Sequence, residues 1–166
     1  MTSATFRPTF RDATPDDLPL VVHFVRALAE YEELGHLATG TEADFGKLLF
    51  GAKKRCEAMF AEIDGHAVGF ALWFYGVTTF GGRATLYVED VFVLPDMRGR
   101  GVGRAMFGEL ARRALAEDCA RMEWSVLDWN APSIAFYRSI GATPHEGWTI
   151  QRLTGEALHA VASAKG

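Results

Sequence analysis

The sequence predicts an α/β fold, in which a mixed, mostly antiparallel central sheet is flanked by helices on both faces. Three observations carry this prediction. Alternating apolar runs mark strands, apolar stripes at helical spacing mark helices, and these segments follow one another as β, α, α, a run of β, α, β, α and β. No linker, repeat or low-complexity tract divides the chain, so residues 6–156 are expected to form a single domain.

The N-terminal third of the chain predicts one strand and two helices. Residues 6–11 are expected to form the first strand. The motif Thr14-Pro-Asp-Asp17 combines a capping threonine, a proline at the first helical position and acids in the first turn, and it begins a helix that runs to about Glu32. Thr41-Glu-Ala-Asp44 begins a second, shorter helix. Residues 1–5 and about 160–166 are small and polar enough to fray.

The middle of the chain predicts a run of strands. Residues 58–63 and 66–75 flank Asp64-Gly65, the strongest short hairpin signal in the sequence. A loop at residues 76–84 precedes a strand at 85–93, which is apolar apart from the adjacent acids Glu89 and Asp90. Because side chains alternate along a strand, these two acids are expected on opposite faces of the sheet.

The C-terminal half predicts two helices and two strands. A helix after residue 101 carries Val102, Met106, Leu110 and Ala114 on one face. Residues 122–127 form a strand. Pro132 begins a helix that ends at Gly141, and residues 148–153 are expected to form the final strand.

The most informative motif is Arg98-Gly-Arg-Gly-Val-Gly103, which lies between a predicted strand and a predicted helix. Glycines let backbone N–H groups approach phosphate oxygens, and a helix N-terminus favours negative charge. A Walker loop needs Gly-Lys-Ser/Thr, which is absent, and Arg104 stands where a Rossmann fingerprint needs a third glycine. The motif therefore predicts an anion-binding loop of another type. The alternative is a glycine-rich turn with solvated arginines.

Bulk composition limits the classes of protein and partner. The 166 residues, 49% hydrophobic and 23% charged, are typical of one soluble domain. A net charge of −4 argues against a nucleic-acid binder and is compatible with a cationic substrate. Cys56 and Cys119 make neither a metal-ligand spacing nor a disulfide framework. With no apolar leader or membrane span in the sequence, we expect a cytoplasmic protein without membrane contact.

Four blocks in order resemble the GCN5-related N-acetyltransferases (GNAT), specifically the diamine acetyltransferase branch, which includes spermidine/spermine and thialysine acetyltransferases. They are Leu28-Ala-Glu-Tyr-Glu32, Leu86-Tyr-Val-Glu-Asp-Val-Phe-Val93, Arg98-Gly-Arg-Gly-Val-Gly103 and Trp129-Asn-Ala-Pro-Ser-Ile-Ala-Phe-Tyr-Arg-Ser-Ile-Gly-Ala142, followed by Glu146-Gly-Trp148. The sequence departs from that branch at Val88, where leucine is usual, and over residues 76–84.

The resemblance implies the GNAT (acyl-CoA N-acyltransferase) fold, acetyl-CoA as co-substrate, no metal, and a homodimer, since the family is often dimeric. It also implies acetyl transfer to a primary amine of a small cationic acceptor, such as a polyamine, a diamine or a thialysine-like compound. The acceptor would attack directly in a ternary complex. An amino acid or a protein amine is the alternative acceptor, and a non-catalytic acyl-CoA-binding module is the alternative function.

The resemblance assigns two catalytic residues. Glu89 would remove the proton from the ammonium group, and Tyr137 would protonate the departing thiolate, since a phenol with a pKa near 10 can donate that proton. The alternatives are a solvated strand carboxylate for Glu89 and an aromatic core residue for Tyr137. A strand bulge near Val91 would free backbone N–H groups for the oxyanion.

The resemblance also assigns the binding residues. Tyr31, Glu32 and Glu89 are the candidates for the amine, because carboxylates and aromatic rings suit a chain of cations. The cofactor-binding candidates are the strand residues Val91, Phe92 and Val93, the loop residues Arg98, Gly99, Arg100, Gly101, Val102, Gly103 and Arg104, and the helix-start residues Asn130, Pro132, Ser133 and Tyr137. Asn130 is also suited to cap that helix.

Overall fold

A mixed sheet forms the centre of the fold. The structure is a computed structural model that describes residues 7–164. Within that range the strands are β1 (Thr9–Asp12), β2 (Glu57–Ile63), β3 (His66–Thr78), β4 (Arg83–Val93) and β5 (Met122–Trp124), in spatial order β1-β2-β3-β4-β5. The first four strands pair antiparallel, and β5 pairs parallel to β4. The predicted mixed, mostly antiparallel sheet is confirmed.

The predicted helix starts are also confirmed. A 3-10 turn at Pro15–Asp17 leads into α1 (Leu18–Tyr31), and α2 spans Glu42–Phe50. At the start of α2, the hydroxyl oxygen of Thr41 accepts from the Asp44 N–H at 3.3 Å, and the Asp44 carboxylate accepts from the Thr41 N–H at 3.0 Å. Such a capping box satisfies two N–H groups that a helix end leaves without partners.

Helices cover both faces of the sheet, as predicted. α1 and α2 pack on the face that carries Phe60, Phe70 and Phe92, which we call the α1 face. On the opposite face, called the α3 face, α3 (Val102–Ala116) packs its predicted stripe against Trp73, Val88 and their neighbours. Successive side chains of a strand point to opposite faces of the sheet, and helices cover both faces here. The strands β2, β3 and β4 are therefore apolar at most positions.

Several strand boundaries differ from the predictions. The first strand begins at Thr9, after Pro8, whose missing N–H cannot join a ladder; Phe6 lies outside the described residues. The loop predicted at 76–84 is mostly strand, because β-branched residues favour pairing there and only residues 79–82 connect β3 to β4. β5 ends at Trp124 rather than 127, beside the point where β4 becomes irregular.

The chain divides into two compact units, Met1–Asn130 and Ala131–Gly166. The second unit contains α4 (Ala131–Ser139) and α5 (Gly155–Ser163). α4 confirms the helix predicted to begin at Pro132. Just after this helix, the Gly141 N–H donates to the Arg138 carbonyl at 3.0 Å.

The predicted final strand at 148–153 is wrong. Trp148 and Ile150 are 71% and 77% exposed, and the segment pairs with no strand among the described residues. An alternating pattern forms a strand only beside a partner edge. The alanine-rich run that follows, predicted to fray from about residue 160, is helical to Ser163, as its composition favours. No helix within residues 7–164 is long and apolar enough to cross a membrane.

Candidate active site

A bulge in β4 at Glu89 shapes the candidate site. Val88 pairs with Trp73 and Asp90 pairs with Leu72, so Glu89 is the extra residue between two consecutive partners on β3. The sequence analysis expected a bulge near Val91, and the structure corrects its position by two residues. A bulge adds a residue without a partner, bends the strand and resets the alternation of its side chains.

This reset overturns the expectation that Glu89 and Asp90 face opposite sides. Asp90 pairs with Leu72, which belongs to the α1 face, while Val88 packs on the α3 face. Glu89 follows Val88 and therefore also lies toward the α1 face. Both carboxylates are thus on the face covered by α1, where sequence alternation alone would place only one.

Glu32 completes a cluster of three carboxylates with Glu89 and Asp90. It is the C-cap residue directly after α1. Burial, followed by repulsion from Glu89 and Glu32, raises the pKa of Asp90 from its ordinary 3.8 to about 6. Burial also raises the pKa of Glu32. The cluster is therefore electrostatically unfavourable by itself, and a bound cation would relieve it.

Asp90 is the residue that the sequence analysis left out of the site. Its signal was present, because two adjacent acids interrupt an otherwise apolar strand. Strict alternation assigned it to the wrong face, and only the register with β3 corrects this.

The glycine loop has the backbone expected of an anion cradle. After a 3-10 turn at Pro95–Met97, Gly99 and Gly101 have φ angles of 72° and 85°, in the left-handed region that favours glycine. A Cβ added to either would meet no atom within 4 Å, so the surface above the loop is open. α3 begins directly afterwards at Val102, and the first N–H groups of a helix have no partner within it.

The other loop residues divide by exposure. Val102 is 1% exposed and packs on the α3 face, so only its backbone can serve a ligand at the loop. Gly103 follows in the first turn of α3. Arg100 and Arg104 are exposed, in the loop and in that first turn respectively.

Arg98 is held at the base of the loop by contacts within the chain. Its Nε donates to the Val93 carbonyl at 2.9 Å, and its guanidinium lies 4.4 Å from the ring centre of Tyr31 and 5.1 Å from that of Phe92. The Nη groups are not used in the bond to Val93. Stacking of this kind is a cation–π contact, which fixes the orientation of the guanidinium.

Tyr31 connects Arg98 to Asn130, at the end of the first unit. Its hydroxyl donates to the Oδ1 atom of the buried Asn130 at 3.2 Å, while its ring carries the Arg98 guanidinium. The sequence analysis assigned Tyr31 to the amine and Arg98 to the phosphates. The structure brings the two side chains together, one residue from Glu32.

The second half of β4 has an open edge. Pairing with β5 stops at Val88, and within residues 7–130 no strand lies beside β4 beyond that point on this side. The Leu94 N–H donates to the Val68 carbonyl of β3. Backbone groups alternate in direction along a strand, so those of Phe92 also point to β3. Those of Val91 and Val93 point to the open edge. The open edge can accept an extended ligand by strand-like hydrogen bonds.

Three predicted residues lie in the second unit. Pro132 and Ser133 belong to the first turn of α4, and Tyr137 lies on the same helix, partly buried. The Tyr137 ring contacts that of Phe136 with centres 5.5 Å apart, and the Tyr137 carbonyl accepts from the Ala142 N–H at 3.0 Å.

Comparisons with known proteins identify related chains. The family model of the Acetyltransferase (GNAT) family matches residues 23–142. The chain is 32% identical to thialysine N-epsilon-acetyltransferase of Mus musculus, over 92% of this chain and 95% of that protein. It is 27% identical to L-ornithine N5-acetyltransferase of Arabidopsis thaliana, over 91% of this chain and 86% of that protein.

Solved structures share the fold. An integron cassette protein from Vibrio cholerae superimposes with a TM-score of 0.78 at 24% sequence identity, over 95% of this chain and 98% of that one.

Proposed function

The chain belongs to the GNAT family of acetyltransferases and is an acetyl-CoA-dependent N-acetyltransferase, and from this premise we propose that it acetylates a primary amine of a small cationic acceptor. The acceptor class is a polyamine, a diamine or a thialysine-like amino acid. The observation that carries this proposal is the buried carboxylate of Asp90, which burial and the neighbouring Glu89 and Glu32 make unfavourable to ionise and which a bound cation would stabilise. Thialysine and ornithine, named for two relatives, are amino acids with a side-chain amine.

The glycine loop and the open edge of β4 fit acetyl-CoA. Backbone N–H groups at Gly101, Val102 and Gly103 would hold its pyrophosphate at the start of α3. The backbone groups of Val91 and the N–H of Val93, whose carbonyl accepts from Arg98, would hold its extended arm. Acetyl-CoA supplies an acetyl group activated as a thioester, and we propose direct transfer to the amine in a ternary complex.

Glu89 is the proposed proton acceptor. An ammonium group must lose a proton before its nitrogen can attack, and the bulge places this carboxylate where β4 opens. Glu32 and Asp90 would bind the acceptor through its positive charge. Tyr137 is the proposed donor of the proton that the leaving thiolate takes up.

The same proposal treats residues 6–156 as one catalytic domain. The family match runs from residue 23 to residue 142 and so crosses the boundary between the two compact units. That continuity supports a single domain.

The test is an amine panel assayed by thiol release from acetyl-CoA, containing spermidine, putrescine, thialysine, ornithine, lysine and a peptide. Glu89→Gln should lower kcat for every accepted amine by about 10²–10⁴-fold, because proton removal is common to all of them. Glu32→Gln should instead raise KM for a polyamine and leave monoamines almost unchanged, because only a long substrate brings a further positive charge to this second carboxylate.

Glu33→Gln is the matched control, since Glu33 is exposed and adjacent to the cluster without belonging to it. It should behave as wild type. A peptide accepted in preference to every small amine, or Glu32→Gln affecting monoamines and polyamines alike, would overturn the assignment of the acceptor.

A further inference from the structure

An aromatic pair lies on the α1 face beside the carboxylate cluster. Tyr87 pairs directly with Phe74 across β4 and β3, and their rings stack with centres 5.1 Å apart and planes inclined by 28°. Leu86 and Val88, the neighbours of Tyr87 along β4, both pack on the α3 face. Tyr87 is therefore on the same face as Glu89 and Asp90.

The Tyr87 ring is fixed in place yet remains accessible. Its hydroxyl is hydrogen-bonded to the Ser125 hydroxyl at 2.8 Å, just after β5. Both rings of the pair are only partly buried. A ring that is tethered at its hydroxyl and supported by a second ring presents a rigid π surface, which loses little conformational entropy when a ligand binds.

The distance along the strand suits a second positive charge. Tyr87 precedes Glu89 by two residues, which is about 7 Å of extended chain. A short diamine with one nitrogen at Glu89 places its other nitrogen at a comparable distance. An aromatic ring attracts an ammonium group through its negative face, most strongly when water is partly excluded.

The carboxylate that pairs with Tyr87 in the register is already engaged by a cation. Glu123 of β5 accepts through its Oε1 from the Nε of Arg121 at 2.9 Å. This ion pair reduces the attraction that Glu123 offers to a second cation. The aromatic pair adds an attraction for an ammonium at this point of the sheet.

We propose that Tyr87, supported by Phe74, forms a subsite for the second ammonium of a diamine acceptor whose reactive amine lies at Glu89. The subsite rests on the proposed function, because it assumes an amine acceptor at the carboxylate cluster. It makes Tyr87 a specificity-determining residue that acts on the non-reacting end of the substrate.

The wild-type enzyme provides the first test, using 1,ω-diaminoalkanes and monoamines of matched length. KM should pass through a minimum at one spacing of the diamine series, and the monoamines should show no such minimum. Turnover of amines without any dependence on spacing would overturn the subsite alone. Absence of turnover with every amine would overturn the proposed function itself, so the two failures are distinguishable.

Variants supply the second test. Tyr87→Leu removes the ring and should raise KM for 1,4-diaminobutane between about twofold and thirtyfold, with butylamine unchanged. Tyr87→Phe keeps the ring but loses the hydrogen bond to Ser125, so its KM for 1,4-diaminobutane should lie between those of wild type and Tyr87→Leu. The matched control is Tyr75→Leu, because Tyr75 is 39% exposed and pairs with Leu86 of the α3 face. An equal change for both amines, or equal effects of Tyr75→Leu and Tyr87→Leu, would overturn the proposal.

Discussion

Replacing Asp90 by asparagine should make the protein more stable at neutral pH. Folding raises the pKa of Asp90 from 3.8 to about 6, through burial and the repulsion from Glu89 and Glu32. A group whose acid form is favoured on folding binds more protons in the folded than in the unfolded state. Stability therefore falls as pH rises from about 4 to about 6, and it stays at the lower level above that range.

The size of the effect follows from the pKa shift. At about 1.4 kcal/mol per pKa unit, ionised Asp90 destabilises the folded state by up to about 3 kcal/mol at pH 7.5. Partial exposure and the hydrogen bonds that the new amide needs reduce this to about 1–3 kcal/mol. For a chain of this length, the expected rise in the unfolding temperature is about 2–10 °C.

The assay is thermal unfolding of wild type and Asp90→Asn between pH 4 and pH 8. The difference between them should be largest above pH 6 and shrink towards pH 4, where the carboxyl of folded wild type is protonated and no longer carries a buried charge. Asp96→Asn, at an exposed aspartate outside the cluster, is the control and should show no such dependence. Equal stability at pH 7.5, or a gap independent of pH, would refute the electrostatic reasoning.

Two further predictions concern the aromatic residues. Tyr31→Leu should weaken coenzyme A binding several-fold by isothermal titration, because Arg98 loses the ring that orients it, whereas Tyr31→Phe should retain affinity; an effect on the amine KM alone would instead make Tyr31 an acceptor contact. Tyr137→Phe should lower kcat by about 10²-fold in the thiol-release assay while the affinity for acetyl-CoA is unchanged, and equal turnover would reassign Tyr137 to packing.

Local patterns in the sequence determined the types and order of most elements. The capping boxes at Thr14 and Thr41, the Asp64-Gly65 turn and the glycine loop before α3 all depend on contacts between residues close in the chain. Such contacts are encoded by spacing alone. They were sufficient to predict the sheet and the helices on its two faces, while the anion-binding role of the glycine loop stays a prediction.

Long-range pairing decided the features that local patterns misplaced. The segment at 148–153 alternates like a strand but has no partner edge within the described residues. β5 stops where β4 bulges, because a bent strand no longer offers it a straight ladder. In both cases a strand depends on its neighbour, which residue spacing does not specify.

The site shows the same division between sequence and tertiary structure. Residue types and motifs selected Glu32, Glu89 and the glycine loop. Only the register of β4 against β3 moved Asp90 to the face of α1, and only packing of α1 on the sheet placed Tyr31 against Arg98. One extra residue in a strand reverses the side on which every later side chain lies, so the carboxylate cluster is a property of the fold that strict alternation cannot predict.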